Sequence, residues 1–208
     1  MIKLELKEFK KALDSNLESR SISGKVILDR FCVIDESSRR SASYVDPNYS
    51  GFYYHLSKYV SPCSLLEIGF DLGLLSGTFL SSCKTVKKFL GYRQINKEFT
   101  STRLGERNIK RSIKGDRNFY MGNLYDFNFE QLISGEWDMV FITDESHYDK
   151  HLEYLDFIWP SVSENGIIVC EYLNKNKPAK DAFMAFCESK NRQPLLFATR
   201  YGTGLVQK

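Results

Sequence analysis

The sequence lacks several features that would assign it to particular classes of protein. No apolar run in its 208 residues approaches the ~20 residues of a membrane span. The start, MIKLELKEFKKAL, alternates charged with apolar residues and has no signal-peptide core. We therefore expect a cytoplasmic protein without a membrane partner, or a component of a virion or other assembly built in a cytoplasm.

The cysteines form neither a zinc-binding nor a disulfide pattern. There are five, at positions 32, 63, 83, 170 and 187, and the closest two lie 17 residues apart, with no CxxC motif. An odd and scattered set is typical of reduced thiols that pack as small apolar residues.

The composition indicates a globular protein whose charges are unevenly distributed along the chain. Hydrophobic residues make up 42% and charged residues 26% of the sequence, as in globular proteins. The length suits one sizeable domain, or a domain with an extension. Residues 84–117 hold eleven Lys and Arg against three Asp and Glu, and residues 118–171 hold eleven acids against one Lys. Two explanations stay open. The basic segment is a surface for a polyanion or a partner protein, or it is the solvated face of one helix.

From residue 64 onwards, apolar strand patterns alternate with helical ones. The predicted strand–helix pairs are SLLEI with LLSGTFLSSC, KKFLGY with a basic helix at 97–113, NFYMG with FNFEQLI, DMVFI with HYDKHLEYLDFIWPSV, and GIIVCEYL with PAKDAFMAFCESK. Such alternation predicts a parallel sheet with helices on both faces. The closing segment, PLLFATR-YGTG-LVQK, predicts an antiparallel hairpin around a glycine-containing turn.

Residues 1–46 are predicted to form an amino-terminal helical extension to a domain at 47–208. Apolar residues at helical spacing predict a helix over 4–20. A short strand, KVILDRFCVI, and a loop, ESSRRSAS, follow. Asp46-Pro47 is a helix-start signal, because Asp caps free amides and Pro suits the first turn. That helix is expected to end near Tyr59, before Pro62.

The stretch LLEIGFDLGLLSGTF, residues 65–79, has the layout of a nucleotide-cofactor loop. A strand carrying Glu67 leads into Gly69 and Gly73, and a helix follows. The glycines allow the backbone to approach a ligand, and helix amides point at it. Asp71 would repel a pyrophosphate, and the sequence has no full GxGxxG and no GxxxxGK(S/T), which disfavours NAD and ATP. The other interpretation is that Glu67 and Asp71 only cap or brace the turn.

Several motifs, in this order, resemble the class I S-adenosylmethionine-dependent methyltransferases. The chain reads EIGFDLG at 67–73, FITDESHY at 141–148 and WPSVSENGIIVCEY at 159–172. One branch of that superfamily reads EIGxGxG, FIDGDHSY and WPLLKPGGxIVxHDY, and residues 201–204, YGTG, match its closing hairpin. The resemblance covers about residues 47–208. It implies an α/β, Rossmann-like methyltransferase fold with a mostly parallel seven-stranded sheet, helices on both faces and a C-terminal antiparallel hairpin.

The resemblance implies S-adenosylmethionine as the cofactor. Glu67 corresponds to the acid that helps to hold the cofactor's amino-acid end, and Asn123 stands in the place of a GD motif that reads the adenine. An acid such as Asp71 is compatible with this cofactor, because it carries a sulfonium and an ammonium. The candidate cofactor-binding residues are Glu67, Gly69, Asp71, Gly73, Asn123 and Thr143.

Arg93 and Thr143 depart from the family's pattern. Arg93 stands at the end of the second strand, where the family's acid accepts both ribose hydroxyls, whereas a guanidinium only donates. An arginine there also suits a phosphate, as in NADP-type sites, or is a surface charge. Thr143 replaces an acid that sometimes binds a metal, so no metal site is expected.

Three residues near strand ends are candidate catalytic groups: Asp144, His147 and Glu171. Methyl transfer from a sulfonium needs alignment, plus a base if the acceptor keeps its proton, and each of these residues can be that base. The alternative for His147 and His151, which lie at helical spacing among acids, is a solvated helix start. A metal site built from both histidines and a carboxylate is a weaker alternative, because nothing fixes its other ligands.

Two functions from different classes remain open. The first is methyl transfer from S-adenosylmethionine to an unknown small-molecule or macromolecular acceptor. The second is a non-catalytic structural or binding component of a larger, for example viral, assembly. The second is considered because Asp71, Arg93 and Thr143 all depart from the pattern near the site while the strands are kept.

Overall fold

Helices and strands alternate along the chain much as the apolar pattern predicts. The computed structural model describes residues 3–19, 29, 47–70, 72–92, 99–113, 120–124, 135–143 and 147–208. The helices there are α1 (Leu6–Ser19), α2 (Pro47–Tyr59), α3 (Leu74–Ser82), α4 (Phe99–Ser112), α5 (Tyr148–Ile158), a 3-10 turn (Trp159–Ser161) and α6 (Lys177–Ser189). The strands are β1 (Ser64–Ile68), β2 (Lys88–Tyr92), β3 (Tyr120–Leu124), β4 (Trp137–Ile142), β5 (Val162–Cys170), β6 (Leu195–Phe197) and β7 (Thr203–Gln207).

The strands form one sheet in the order β3-β2-β1-β4-β5-β7-β6. The pairs from β3 across to β5 are parallel. β7 pairs antiparallel with both β5 and β6, as the closing hairpin predicts. The α/β class predicted from the alternation is confirmed. No helix among the described residues is long and apolar enough to span a membrane.

The sheet separates two hydrophobic cores, because successive strand residues point to opposite faces. On β1, Leu65 belongs to the core shared with α1 to α4, and Leu66 to the core shared with α5 and α6. The first core is rich in aromatic rings that meet edge to face. Phe79 and Tyr53 both meet Phe141 of β4 edge-on, at 5.4 and 5.2 Å between ring centroids.

Strand β5 begins earlier than the sequence pattern predicts. The apolar pattern predicts a helix up to Val162 and a strand only from Gly166, but the Ser163 side chain donates to Asp138 Oδ1 at 2.7 Å, which ties the intervening segment to β4. Asn165 adopts a left-handed backbone, φ 59°, and the pairing of β4 with β5 shifts register there. A β-bulge of this kind allows the polar segment at 163–165 and the apolar residues after it to belong to one strand.

Helix α1 belongs to the first core, although it lies in the segment predicted as an extension. Phe9 and Leu13 are buried, and the Phe9 ring meets Tyr59 of α2 at 5.9 Å. The backbone N–H of Leu4 donates to Gln207 Oε1 at 2.9 Å, which fastens α1 to β7. The predicted strand KVILDRFCVI, the loop ESSRRSAS and the helix at FNFEQLI lie outside the described residues, apart from Asp29 in a turn.

The packing of α1 predicts that Leu13→Ala destabilises the whole domain. Leu13 is fully buried, and such truncations cost about 2–5 kcal/mol. Urea unfolding measures this loss, with Lys11→Ala on the exposed face of α1 as the control, expected within about 0.5 kcal/mol of the wild type. Equal stabilities for both variants would mean that α1 folds independently of the sheet.

Candidate functional site

The sheet has one topological switch point, between β1 and β4, where open α/β sheets bind ligands. Ile68 lies opposite Ile142, and Ile142 opposite Cys170. The next residue of each strand therefore forms a row at the carboxyl edge: Gly69, Thr143 and Glu171. Because side chains alternate between faces, this row faces the same side as Glu67 and Phe141, the side covered by α2 and α3.

The glycine turn after β1 is held by backbone hydrogen bonds. The N–H groups of Gly69 and Phe70 both donate to the carbonyl of Tyr92 at 2.9 Å. Gly69 and Gly73 have φ of 93° and 63°, a region that L side chains rarely adopt. A Cβ on Gly73 would also lie 3.0 Å from the carbonyl oxygen of Gly105. Glycine is thus required at position 73 both by backbone conformation and by the close approach of α4.

Helix α3 begins directly at this turn without a side-chain cap from its N-cap residue, Gly73. Its first-turn amides therefore face the carboxyl edge of β1, where helix amides favour an anionic group. Asp71, predicted to contact the cofactor, lies outside the described residues.

Glu67 is a buried acid beneath the turn. Its side chain is 3% exposed, and Ser76 of α3 donates its hydroxyl to Oε2. Burying a carboxylate is unfavourable unless donors or a cation compensate. The site therefore holds an oriented acid directly below the glycine turn, and Ser76 is a supporting residue that the sequence reading missed.

Thr143 braces the turn from β4. Its N–H donates to the carbonyl of Ile68 at 2.9 Å. Its hydroxyl lies 3.1 Å from the carbonyl oxygens of both Ile68 and Gly69 and shares its proton between them. An acid here could not make these contacts when ionised, since a carboxylate only accepts. In the structure Thr143 therefore supports the position of Gly69.

Glu171 is the centre of a buried hydrogen-bond network just past β5. Tyr53 of α2 and Thr203 of β7 both donate to its Oε1, Thr203 at 2.9 Å. Thr199 lies 2.7 Å from the Thr203 hydroxyl. With Thr203 donating to Glu171, the Thr199 hydroxyl is the donor of this second contact. Three hydroxyls thus donate towards one carboxylate oxygen, Tyr53 and Thr203 directly and Thr199 through Thr203.

The second oxygen of this carboxylate, Oε2, is buried without a hydrogen-bond partner among the described residues. Burial raises the pKa of Glu171 to about 7, although the hydrogen bonds from Tyr53, Thr203 and the backbone of Tyr172 act in the opposite direction. Desolvation dominates because Glu171 is 1% exposed. Tyr172, which follows it, has a left-handed backbone with φ 65°, and such strain concentrates near functional sites.

The two candidate histidines do not share a site. His147 is exposed at the N-cap of α5, whereas His151, one turn further, is fully buried. Burial lowers the pKa of His151 to about 4, so its imidazole is neutral near pH 7. Among the described residues no three His, Cys, Asp or Glu side chains are placed to hold a metal ion. Asp144 lies outside the described residues, and the catalytic role of His147 stays a prediction.

The remaining predicted positions are placed only in part. Asn123 lies on β3 opposite Gly91 of β2, but its side chain is not among those described. Arg93 lies outside the described residues. On α4 the cations Arg107, Lys110 and Arg111 are exposed, so at least this part of the basic segment faces solvent. The partner predicted for residues 84–117 stays a prediction.

Tyr53 and Thr203 are functional candidates that sequence reasoning missed. Tyr53 reads as one of several aromatics on a core-facing helix, and Thr203 as a turn residue of the YGTG hairpin. Neither residue has a local sequence signal for this role. Their meeting at Glu171 depends on tertiary packing over 118 and 32 residues of separation.

Comparison with known proteins gives matches only at the level of structure. No family model matches the chain, and no curated protein matches it. It is similar to the S-adenosylhomocysteine-bound methyltransferase PaMTH1 of Podospora anserina, with TM-score 0.67 and 15% identity over 99% of this chain and 97% of that one. A putative O-methyltransferase from Klebsiella pneumoniae gives a TM-score of 0.66 and 16% identity over 94% of this chain and 96% of that one.

An O-methyltransferase from Bacillus cereus, in complex with S-adenosylhomocysteine, gives TM-score 0.61 and 15% identity over 94% of this chain and 91% of that one. At these identities the likeness is one of fold.

The raised pKa of Glu171 predicts a pH-dependent stability. The folded pKa of about 7 exceeds the ordinary value of 4.5. The favourable contribution of the protonated acid is therefore fully present below about pH 4.5, declines as pH rises, and is lost above about pH 7. Glu171→Gln, which keeps an accepting oxygen for Tyr53 and Thr203, should remove this decline. Relative to wild type it gains up to roughly 3 kcal/mol between pH 5 and pH 8.

Urea unfolding at pH 5 and pH 8 measures this difference in the free energy of unfolding. Glu164→Gln, on the exposed part of β5, is the control. If the free energies of unfolding of wild type and Glu171→Gln change with pH in parallel, Glu171 is ionised throughout this range.

Proposed function

We propose that this chain, which has a class I S-adenosylmethionine methyltransferase-like fold, binds S-adenosylmethionine at the end of β1 and transfers its methyl group to an acceptor. When bound, this cofactor supplies an electrophilic methyl group on a sulfonium. Several neighbours in fold carry the name O-methyltransferase, which favours an oxygen acceptor. The identity of the acceptor is left open.

The observation that carries the proposal is the buried Glu67 carboxylate below the glycine turn. The amino-acid end of the cofactor has an ammonium and a carboxylate, and this edge offers a partner for each. Glu67, held by Ser76, suits the ammonium. The first-turn amides of α3, which begins at Gly73 without a side-chain cap, suit the carboxylate. The residues present therefore fit this cofactor.

Other residues contribute by position. Thr143 fixes the carbonyl side of Gly69, so the turn is held before a ligand arrives, which reduces the ordering needed on binding. Asn123 remains the candidate for the adenine and Asp71 a further candidate contact. Asp144, His147 and Glu171 remain candidate bases. None of the comparisons favours the alternative of a non-catalytic assembly component.

The proposal predicts that Glu67→Gln weakens cofactor binding. Loss of a charge-assisted hydrogen bond to an ammonium is worth about 1.5–3 kcal/mol, so the Kd for S-adenosylhomocysteine should rise roughly 10- to 100-fold. Titration calorimetry measures it, with Glu164→Gln as an exposed, charge-matched control and circular dichroism to verify folding.

Ser76→Ala offers a second, milder test. It keeps the Glu67 charge but removes the donor that orients it, so binding should weaken by less than in Glu67→Gln. The proposal fails if the wild-type protein binds neither S-adenosylmethionine nor S-adenosylhomocysteine at millimolar concentration.

A further inference from the structure

The Glu171 carboxylate is a buried acid whose two oxygens have different surroundings. Oε1 accepts from Tyr53 and Thr203. Oε2 is equally buried and has no partner among the described residues. A buried polar atom left in this way is unfavourable in either protonation state, because it is an uncompensated charge or a donor without an acceptor. A cationic group placed beside Oε2 would compensate the ionised carboxylate.

We propose that Glu171 is the counter-charge to the sulfonium of S-adenosylmethionine, and that it distinguishes this cationic cofactor from its neutral-sulfur product, S-adenosylhomocysteine. This inference rests on the proposed function, since it assigns a residue within the same cofactor site.

The position of Glu171 supports this role. Its N–H donates to the carbonyl of Ile142 at 2.9 Å, the residue before Thr143. Glu171 therefore ends the row that begins with Gly69 and Thr143, on the face that Glu67 also occupies. Neighbouring strands lie about 4.8 Å apart, so the row spans roughly 10 Å. Glu67 and Glu171 thus stand on opposite sides of the switch point between β1 and β4.

The number of charges agrees with this arrangement. S-adenosylmethionine has two cationic centres, an ammonium and a sulfonium, and S-adenosylhomocysteine keeps only the ammonium. The described part of the carboxyl edge holds two buried carboxylates, Glu67 and Glu171. Glu67 is assigned to the ammonium, which both ligands have. Glu171 is then the carboxylate available for the sulfonium, whose positive charge is lost on methyl transfer.

The energetic consequence is a preference that depends on ionisation. Only the ionised carboxylate attracts a sulfonium, and Coulomb attraction is strong where water is excluded. Once the methyl group has left, the sulfur is neutral and Glu171 again lacks a compensating charge. The same residue therefore favours binding of the cofactor and release of the product.

Few other titratable groups meet this carboxylate. On α2 it faces Tyr53, and on its own strand it adjoins the Cys170 thiol, whose pKa is raised by burial, by Cys187 and by Glu171. The β4 and β7 residues beside it, Thr143 and Thr203, do not titrate in this range. Asp144 follows Thr143 but lies outside the described residues. Among the described groups in this buried network, Glu171 is the one whose pKa lies near 7.

Calorimetric titration of the full chain with S-adenosylmethionine and with S-adenosylhomocysteine at pH 6 and pH 8 tests the inference. With a pKa of about 7, the ionised fraction rises from roughly a tenth to roughly nine tenths over this range. The affinity ratio of cofactor to product should therefore rise about tenfold in wild type, and Glu171→Gln should abolish the rise. The ligands' own amino groups titrate identically in both proteins, so the comparison between proteins isolates Glu171.

Glu67→Gln is the matched control, because it should weaken both ligands alike and leave the rise in the ratio intact. Titration at pH 7 in two buffers of different ionisation enthalpy adds a second readout. Wild type should release up to about half a proton on binding S-adenosylmethionine, and Glu171→Gln should release less.

The outcomes separate the inference from the proposed function. If wild type binds neither ligand, the proposed function fails, and the inference with it. If both ligands bind but wild type and Glu171→Gln show the same change in ratio, only the inference is overturned. Should Glu171→Gln not fold, Thr203→Val keeps the carboxylate and removes one donor. Thr203→Val should shift the pH at which the affinity ratio of cofactor to product rises to a higher value. An unshifted pH would also overturn the inference.

Discussion

The carboxyl edge of this protein depends on three backbone hydrogen bonds that continue the parallel ladder one residue beyond each strand. Gly69 donates to Tyr92, Thr143 to Ile68, and Glu171 to Ile142. Each bond joins the residue after one strand to the last residue of a neighbouring strand. As a result, four strand ends are aligned before any side chain contributes. The two-residue period of a strand then turns both buried acids to the face covered by α2 and α3.

This regularity explains how much of the fold could be predicted from the sequence. β1 and α2 have the predicted bounds, because glycine, proline and apolar runs mark their ends locally. The relative positions of candidate residues were predictable where a motif is contiguous, as for Glu67, Gly69 and Gly73. It was not predictable where partners come from distant segments. Nothing near Glu171 in the sequence identifies Tyr53 or Thr203, and a threonine in place of an acid at position 143 reads as a lost ligand. The structure shows instead that its hydroxyl supports the turn.

The two buried carboxylates show how similar residues acquire different properties from their surroundings. Both lie on the same face and both accept from a hydroxyl of a neighbouring element. Glu171 differs in that Tyr53 and Thr203 donate to the same oxygen, whereas its Oε2 has no hydrogen-bond partner among the described residues. Hydrogen bonds to a carboxylate lower its pKa, but in this case they do not outweigh desolvation. A network of neutral donors therefore orients the acid without holding it ionised.

The hydrogen bond from the Leu4 N–H to Gln207 has a consequence for the folding rate. The two residues are separated by 203 positions, and the Tyr53–Glu171 contact spans 118. Contacts that join distant segments require the entropy of long loops to be lost before they stabilise anything. Folding is therefore expected to be slow for the size of the chain. The aromatic core under α1 and α2 would close late, after the local strand–helix units have formed.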